Sequence, residues 1–363
     1  MKKKKLLCIV QHRYGRSPGQ RFRIEQFLSH LKTNGWEVTY SYIISEKDDG
    51  IFYAPGHYFG KFRIMIKAFF HRLKDVKKAK TSDVVFIYRE AHMLGTTYFE
   101  KQLAKHKTPV VFDFDDSIWI KDTSFGNKNL AWIKNPGKTQ NICRYADYVI
   151  VGNQYLANYA KQFNPHVHIF PTVINTDYHK PKPITFEKQK ICIGWTGTQP
   201  TLKHFETIVP VLEKLYKSYS DKICFRLIVN FPYHCDAIPL EVIQWNKTTE
   251  IKELLEFDIG IMPLPDNQWT CGKCGFKGLQ YMALEIPTIM SPVGVNTEII
   301  QDGKNGYLAD NDEQWFKKLS ALIESPELRH KLGKAGRQTV IEKYSKHAWQ
   351  DRYLQFFNKM VFK

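Results

Sequence analysis

The stretch Cys271-Gly-Lys-Cys-Gly-Phe-Lys-Gly-Leu-Gln-Tyr-Met-Ala-Leu-Glu-Ile-Pro-Thr-Ile-Met-Ser291 is the most informative part of this chain. Its pattern predicts a glycine-containing loop, a helix over residues 276–284 and a strand beginning at Pro287. An apolar run at residues 257–263 predicts another strand before the loop. A helix that starts after such a loop presents free backbone N–H groups, and its dipole and Lys277 add positive charge. The stretch therefore predicts a site for a phosphate or diphosphate.

Residues 275–287 and the segments after them resemble the donor-binding half of the family 4 (group 1) retaining glycosyltransferases. The later segments are Ser291-Pro-Val-Gly294, Glu298 and Asp302-Gly-Lys-Asn-Gly306. The resemblance implies the GT-B fold, in which two doubly wound Rossmann-like α/β domains face a central cleft and the C-terminal helix returns to the first domain. It also implies a nucleoside-diphosphate sugar as the donor, with no metal or other cofactor.

Most members of that family carry two glutamates eight positions apart, and here those positions hold Gly272 and Gln280. Gln280 retains the ability to hydrogen-bond a ribose hydroxyl, whereas the loop glutamate has no counterpart. The loop chemistry and the resemblance together assign a set of residues to the donor: Gly197, Thr198, Lys203, Trp245, Gly275, Phe276, Lys277, Gln280 and Glu298.

Strand-like apolar runs alternate with amphipathic helix-like segments along the chain, which is typical of parallel α/β sheets. Residues 174–187 break this alternation with two prolines and predict a linker. We therefore predict an N-terminal, acceptor-side domain over residues 1–173 and a donor-binding domain over residues 188–343. The aromatic residues of segment 344–363 suit a helix that returns to the first domain.

Residues 193–203 predict a second strand–loop–helix turn. Gly194 and Gly197 allow a ligand to approach closely, and Thr198 offers a hydroxyl. Lys203 lies in the predicted first helical turn, where a cation costs a few tenths of a kcal/mol unless an anion compensates it. The turn therefore indicates a contact with the donor diphosphate, although a tight turn with a solvated lysine has the same pattern.

Two further donor residues have equally simple structural explanations. Trp245 lies in a predicted strand-to-helix turn that is beside the nucleotide base in the family, but it could also be a core residue. Glu298 resembles the family glutamate near the donor pocket, and it could equally be an early-helix carboxylate that the dipole favours.

The first strand leads directly into a loop, residues 13–23, that contains four arginines and two glycines. Guanidinium groups grip oxygen anions in a bidentate manner, and loops that follow the strands of such sheets carry function. We therefore assign Arg16 and Arg21 to the acceptor, and Arg16 also to stabilisation of the leaving group. A solvated basic loop is the alternative.

Three carboxylates, Asp113, Asp115 and Asp116, end another predicted strand, and Arg89 ends its neighbour. Clustered carboxylates repel and raise one another's pKa, so they indicate a functional site. They could hold acceptor hydroxyls, orient Arg16 or Arg21, or bind a metal. We favour the first two roles, with Arg89 completing the network. Lys203, Lys277, Asp115 and Arg16 form the predicted catalytic set.

The segment 61–80 predicts a long amphipathic helix whose apolar residues pack against the core. Its polar face carries eight basic residues against Asp75 alone. Solvated faces usually mix the two signs, so this one indicates contact with an anionic membrane surface. The net charge of the chain, +17, agrees with a polyanionic environment.

Composition limits the location and the chemistry. No apolar run approaches the roughly 18 residues of a membrane span, and the run at residues 6–10 is too short for a signal peptide. These features predict a cytoplasmic protein that lies peripherally on the inner face of the cell membrane. Cys271 and Cys274 form the only C-x-x-C pair, and no partner pair accompanies it, so we predict no metal site.

Three functions compete. The first is a glycosyltransferase that acts on a glycan or polyprenyl-linked acceptor in the synthesis of cell-surface polysaccharide. The second is a nucleotide-sugar epimerase or isomerase of the same fold, which needs a carboxylate pair at the sugar ring. The third is a nucleic-acid-binding protein, but no recognition motif supports it and the basic residues are spread over two domains. We favour the first function and predict no nucleic-acid partner.

Overall fold

The computed structural model describes residues 3–120, 135–182 and 190–361. The chain forms two compact units, one of Met1–Thr172 with Trp349–Lys363 and the other of Val173–Ala348. Residues 174–182, the first part of the predicted linker, cluster with the second unit. The rest of that linker, residues 183–187, lies outside the described residues, as do residues 188–189 and 362–363.

The first unit is built on a six-stranded parallel sheet with the order β2-β1-β3-β4-β5-β6. Its strands are β1 Lys4–Ile9, β2 Trp36–Ser41, β3 Val84–Tyr88, β4 Val110–Phe114, β5 Tyr148–Val151 and β6 Val167–Ile169. Its helices are α1 Pro18–Gln20, α2 Gln26–Thr33, α3 Glu46–Tyr53, α4 Tyr58–Ala79, α5 Tyr98–Leu103, α6 Lys138–Tyr145 and α7 Gln154–Ala160. The predicted strands are confirmed, because buried parallel strands have continuous apolar sequences.

The second unit has its own six-stranded parallel sheet with the order β12-β11-β10-β7-β8-β9. Its strands are β7 Ile191–Thr196, β8 Ile223–Val229, β9 Leu240–Gln244, β10 Ile259–Met262, β11 Thr288–Met290 and β12 Tyr307–Leu308. Its helices are α8 Leu202–Glu206, α9 Val209–Tyr219, α10 Glu250–Leu254, α11 Gln268–Cys271, α12 Phe276–Ala283, α13 Asn296–Ile299, α14 Asp312–Glu324 and α15 Pro326–Thr339. Two doubly wound α/β units with helices on their sheets confirm the predicted fold class.

The last helix, α16 (Lys346–Val361), ends on the first unit, as predicted. The ring of Tyr353 stacks on Phe27 with centroids 4.0 Å apart. Asn358 accepts a hydrogen bond of 2.8 Å from the Lys4 ammonium group. Aromatic packing and a polar contact therefore fix the returning helix against α2 and the start of β1.

The orientation of α4 differs from the prediction. The predicted apolar face is largely exposed, and the buried face consists of Lys61, Ile64, Ala68, Arg72, Asp75 and Ala79. Arg72 is the cause, because its buried guanidinium group donates to Asp75 and to the backbone oxygens of Val10 and Ala91. These bonds fix Arg72 and Asp75 inward, and the aromatic residues on the opposite side of the helix are left in solvent.

Candidate active site

The loop before α12 has the geometry that the sequence predicted. α11 begins after Asn267, whose side chain caps it, and the chain reaches Gly275 four residues after α11 ends. Gly275 has a φ of 67°, a left-handed backbone conformation that strains residues with a side chain, so glycine is favoured there. Gly275 is the N-cap of α12 and supplies no capping side chain itself. The start of α12 is also the positive end of its dipole, which favours a nearby anion.

Trp195 contacts both of the turns predicted to bind the donor, the one that contains Gly197 and the one at the start of α12. The ammonium group of Lys277 lies 5.0 Å from the centroid of the buried Trp195 ring. A Cβ at Gly197 would come within 2.0 Å of the same ring, which explains the glycine at that position. Phe205 of α8 packs on Trp195 from another side, with centroids 5.5 Å apart. The structure therefore brings Gly197 and Lys277, two predicted donor residues, to one aromatic side chain.

Three lysines surround a buried histidine that the sequence analysis did not select. His204 of α8 is 1% exposed. Burial and the charges of Lys277, Lys273 and Lys203, in that order, lower its pKa to about 4. We call Lys203, Lys273 and Lys277 the lysine cluster. Thr198 lies on the exposed turn before α8. Three cations close to one another favour the binding of a multiply charged anion.

Gln280, the residue at a family glutamate position, is buried in contact with another histidine. Its amide nitrogen lies 3.3 Å from Nε2 of His179, a fully buried side chain. His179 in turn lies 3.0 Å from the Asn175 carbonyl oxygen through Nδ1. The backbone carbonyl of His179 also accepts a bond of 2.9 Å from Arg337. His179 therefore positions Gln280, and the sequence offered no signal for this contact across about 100 residues of chain.

Three predicted donor residues remain, and each lies on a different segment of the second unit. Trp245 is half-buried beside a core cluster that contains Cys192 and Leu254, and its indole N–H donates to Glu250 over 3.3 Å. Glu298 lies exposed on the short helix α13. Phe276 begins α12 and is half-buried. The structure thus leaves Trp245 with one face in the core and one toward solvent.

Residues 240–339 match the model of the family described as glycosyl transferases group 1. The resemblance to that family is confirmed. Residues of this stretch include the loop before α12, α12 itself and the segment that carries Glu298.

Two curated proteins of Bacillus subtilis (strain 168) are similar over short stretches. Spore coat protein SA is 39% identical over 72 residues, which are 19% of this chain and 18% of that protein. The putative glycosyltransferase EpsD is 36% identical over 69 residues, which are 18% of either chain. The chain thus spans about a fifth of the length of the curated relatives that it matches.

Solved structures resemble the whole chain. Sucrose-phosphate synthase from Thermosynechococcus elongatus has a TM-score of 0.75 at 13% identity, and the match covers 99% of this chain and 100% of that one. Anabaena HepE in complex with UDP and glucose has a TM-score of 0.66 at 11% identity, with 98% and 100% covered. At these identities the likeness concerns the fold.

In the first unit, Asp113 belongs to a buried ion pair. Arg23 donates to both of its carboxylate oxygens, at 2.5 and 3.1 Å, and both side chains are fully buried. Burial raises the pKa of Asp113 to about 6, and the charge and hydrogen bonds of Arg23 oppose that rise. Because the carboxylate is buried and both of its oxygens already accept from Arg23, this placement argues against the predicted contact of Asp113 with an acceptor.

Asp115 and Asp116 share Arg89, as the sequence predicted. Arg89 donates to Asp115 at 2.8 Å and to Asp116 at 2.5 Å, and the Tyr88 hydroxyl donates to Asp115 at 2.8 Å. Burial alone would raise the pKa of Asp115, but the charges of Arg89 and Arg23 and these hydrogen bonds outweigh it and lower the pKa. The expected mutual rise in pKa is therefore wrong for Asp115.

Asp49 of α3 orients two arginines of the arginine loop. Arg16 donates to Asp49 of α3 at 2.5 Å, and Arg13 donates to the same carboxylate at 2.9 Å. Arg21 follows α1 and lies over the ring of Phe22. The Arg16 side chain remains 38% exposed, so it can still meet a ligand. At the end of β4, Asp113 pairs with Arg23, and Asp115 and Asp116 pair with Arg89.

Proposed function

We propose that this protein is a retaining glycosyltransferase that moves a sugar from a nucleoside diphosphate to a glycan or lipid-linked acceptor in cell-surface polysaccharide synthesis. The lysine cluster beside the start of α12 carries the proposal, because it places three cations near the positive end of a helix dipole. The family match over residues 240–339 supports it. HepE, similar in fold, was solved with UDP and with UDP-glucose, which supports a nucleotide-sugar donor here.

The donor diphosphate would lie between Lys203 and Lys277, beside Gly197 and Thr198 and over the backbone of Gly275 and Phe276. Glycine at position 197 lets the loop backbone pack against the Trp195 ring, and glycine at position 275 permits the left-handed turn before α12. Trp245, Gln280 and Glu298 are assigned to the nucleoside and the sugar. Negative charge grows on the diphosphate as it leaves, so pre-positioned cations stabilise the transition state more than the bound substrate.

Retention requires the acceptor to attack the face of the sugar from which the diphosphate departs. In this scheme the leaving diphosphate takes the acceptor proton and no enzyme nucleophile forms a covalent bond. Gly272, at the position of the missing loop glutamate, offers no carboxylate. Lys273, its neighbour, brings a cation instead, so the loop serves the phosphate rather than the sugar in this proposal.

The acceptor is assigned to the first unit, where Arg16, Arg21, Arg89, Asp115 and Asp116 follow the carboxyl ends of β1, β3 and β4. Ligands of doubly wound sheets bind at this edge. Arg89 compensates the charges of Asp115 and Asp116 and holds them in place. The proposal assigns the two carboxylates to sugar hydroxyls and the N–H groups of Arg16 to an acceptor phosphate.

Helix α4 is proposed as the contact with the membrane. Its side chains Phe59, Phe62 and Phe70 are 83%, 63% and 60% exposed. Exposed basic residues flank this aromatic surface: Arg63, Lys67, Lys74, Lys77 and Lys78. Aromatic insertion together with positive charge suits an anionic bilayer surface. Among the described residues, no helix is long and apolar enough to cross a bilayer. We propose peripheral attachment to the inner face of the cell membrane, from the cytoplasm.

A thermal-shift screen against uridine, guanosine and deoxythymidine diphosphates and their sugars tests the donor. Binding of one diphosphate should raise the melting temperature, and its sugar should be turned over with retained anomeric configuration, as read by NMR of the product. Release of an epimerised nucleotide sugar without any acceptor would favour the epimerase instead. Salt-dependent retention on DNA without nucleotide binding would favour the nucleic-acid-binding function.

A further inference from the structure

His204 is a polar side chain that is buried and unsatisfied. Its ring is 1% exposed, and neither Nδ1 nor Nε2 has a hydrogen-bond partner among the residues that the structure describes. A neutral imidazole contains one N–H donor and one lone-pair acceptor, and both normally find partners when buried. The free protein therefore carries an unfavourable arrangement at this position, which a ligand with acceptor oxygens could relieve.

The charges that act most strongly on His204 come from three lysines. Lys203 precedes it on α8, Lys273 lies in the loop before α12, and Lys277 lies in the first turn of α12. The next residue, Phe205, packs on Trp195, and the Lys277 ammonium group lies over the same ring. His204 thus shares one locus with the proposed diphosphate contacts.

Burial and the three lysines determine the protonation state of the His204 ring in the free protein. Burial, followed by the charges of Lys277, Lys273 and Lys203, lowers the pKa of His204 to about 4, so the imidazole is neutral near pH 7. A diphosphate bound to the lysines brings at least two negative charges. Those charges offset two of the three lysine charges and attract the imidazolium form.

We propose that His204 takes up a proton from solvent when a diphosphate binds and that its ring N–H then donates to a phosphate oxygen. This inference rests on the proposed donor site and adds a group to it. The complex then holds one proton more than the free protein and ligand. Affinity must therefore rise as pH falls, by about tenfold per pH unit between the pKa of His204 in the free protein and its pKa in the complex.

Isothermal calorimetry on the wild-type protein measures the proton directly. UDP-glucose, GDP-mannose and dTDP-glucose are titrated near neutral pH in two buffers of different ionisation enthalpy. Nucleotide sugars are chosen because a terminal phosphate, which ionises at a pH of about 6, would contribute protons of its own. We expect uptake of about one proton per ligand bound.

Two variants and a control identify the group. His204→Asn keeps a donor but cannot titrate, so it should bind without proton uptake and with little dependence on pH. His204→Phe should lose affinity as well. His234→Asn changes an exposed histidine of the same unit and should behave as wild type. Binding by the wild type without proton uptake, or uptake that persists in His204→Asn, would overturn the inference while leaving the donor site intact. If none of the three ligands binds, the proposed function fails and this inference with it.

Discussion

Lys277 lies in the first turn of α12, where its ammonium group faces the ring of Trp195 at 5.0 Å. A cation in that turn opposes the helix dipole, and the aromatic face compensates part of the cost. A diphosphate would compensate more of this electrostatic cost than the aromatic ring does, because it carries full negative charges and its oxygens also accept hydrogen bonds. The residue therefore favours the liganded state at this place.

Changing Lys203 or Lys277 to Ala should weaken binding of a nucleoside diphosphate by about 1.5–3 kcal/mol, or roughly 10- to 150-fold, the range of charge-assisted contacts. Binding of the nucleoside alone should change little, because both lysines are assigned to phosphates. Calorimetric titration of each ligand measures the difference. Lys217→Ala, which removes a surface partner of Glu213, is the control. Equal losses for nucleoside and diphosphate would show that the lysines support the fold instead.

The Arg23–Asp113 pair supports a second prediction at this scale. Both side chains are fully buried, so Asp113→Asn leaves the guanidinium charge without compensation. Removing one partner of a buried pair costs about 3–5 kcal/mol. Denaturant unfolding should report a loss of that size, whereas Glu213→Gln, in an exposed pair, should cost about 0.5 kcal/mol or less. A loss in Asp113→Asn that is confined to acceptor affinity would restore Asp113 to the acceptor site.

Among the elements, the strands were predictable and the helix faces were not. β4 ends beside the carboxylates that were predicted to end a strand, because a run such as Val110–Phe114 can be buried only within a sheet covered on both faces. α4 was predicted as a helix with its aromatic residues inward. Apolar periodicity cannot reveal that Arg72 and Asp75 form a buried pair and turn the helix over. The same reasoning missed His204, since burial of a polar side chain has no sequence signal.

Because α4 exposes its aromatic residues as well as its lysines, two contributions to membrane binding can be tested separately: ring insertion and charge attraction. Phe59→Ser with Phe62→Ser removes exposed rings, each worth up to about 3 kcal/mol when buried in lipid. Reversal of Lys74, Lys77 and Lys78 to Glu removes the attraction to anionic lipid. Both variants should release the protein from anionic vesicles in a flotation assay and should leave nucleotide binding intact.

Salt distinguishes the two effects. Charge attraction is screened within about 8 Å at physiological salt, so high salt should mimic the lysine reversal but not the loss of the rings. Vesicles of neutral lipid serve as the matched surface. If the wild-type protein ignores anionic vesicles at low salt, α4 is an ordinary exposed helix and the membrane proposal fails.

For the whole molecule, the net charge of +17 has identifiable parts. Some of it lies on α4, some in the arginine loop of the first unit, and some in the lysine cluster of the second. The basic face of α4, the arginine loop, Lys203 and Lys277 were recognised in the sequence, but Lys273 and the partners of these groups were not. Asp49 for Arg16, Arg23 for Asp113 and His179 for Gln280 all come from separate elements. Such pairings depend on strand order and helix rotation, which a local pattern does not determine.

The lysine cluster leads to a prediction for the reaction as a whole. Many enzymes neutralise a leaving diphosphate with a divalent cation, whereas here Lys203, Lys273 and Lys277 would supply that charge. Turnover should therefore persist in excess chelator, measured as release of the nucleoside diphosphate from its sugar. The Lys277→Ala variant, assayed in parallel, should lose rate with or without chelator. Complete inactivation of the wild type that added metal reverses would contradict the prediction and would identify Asp115 and Asp116 as a cation site.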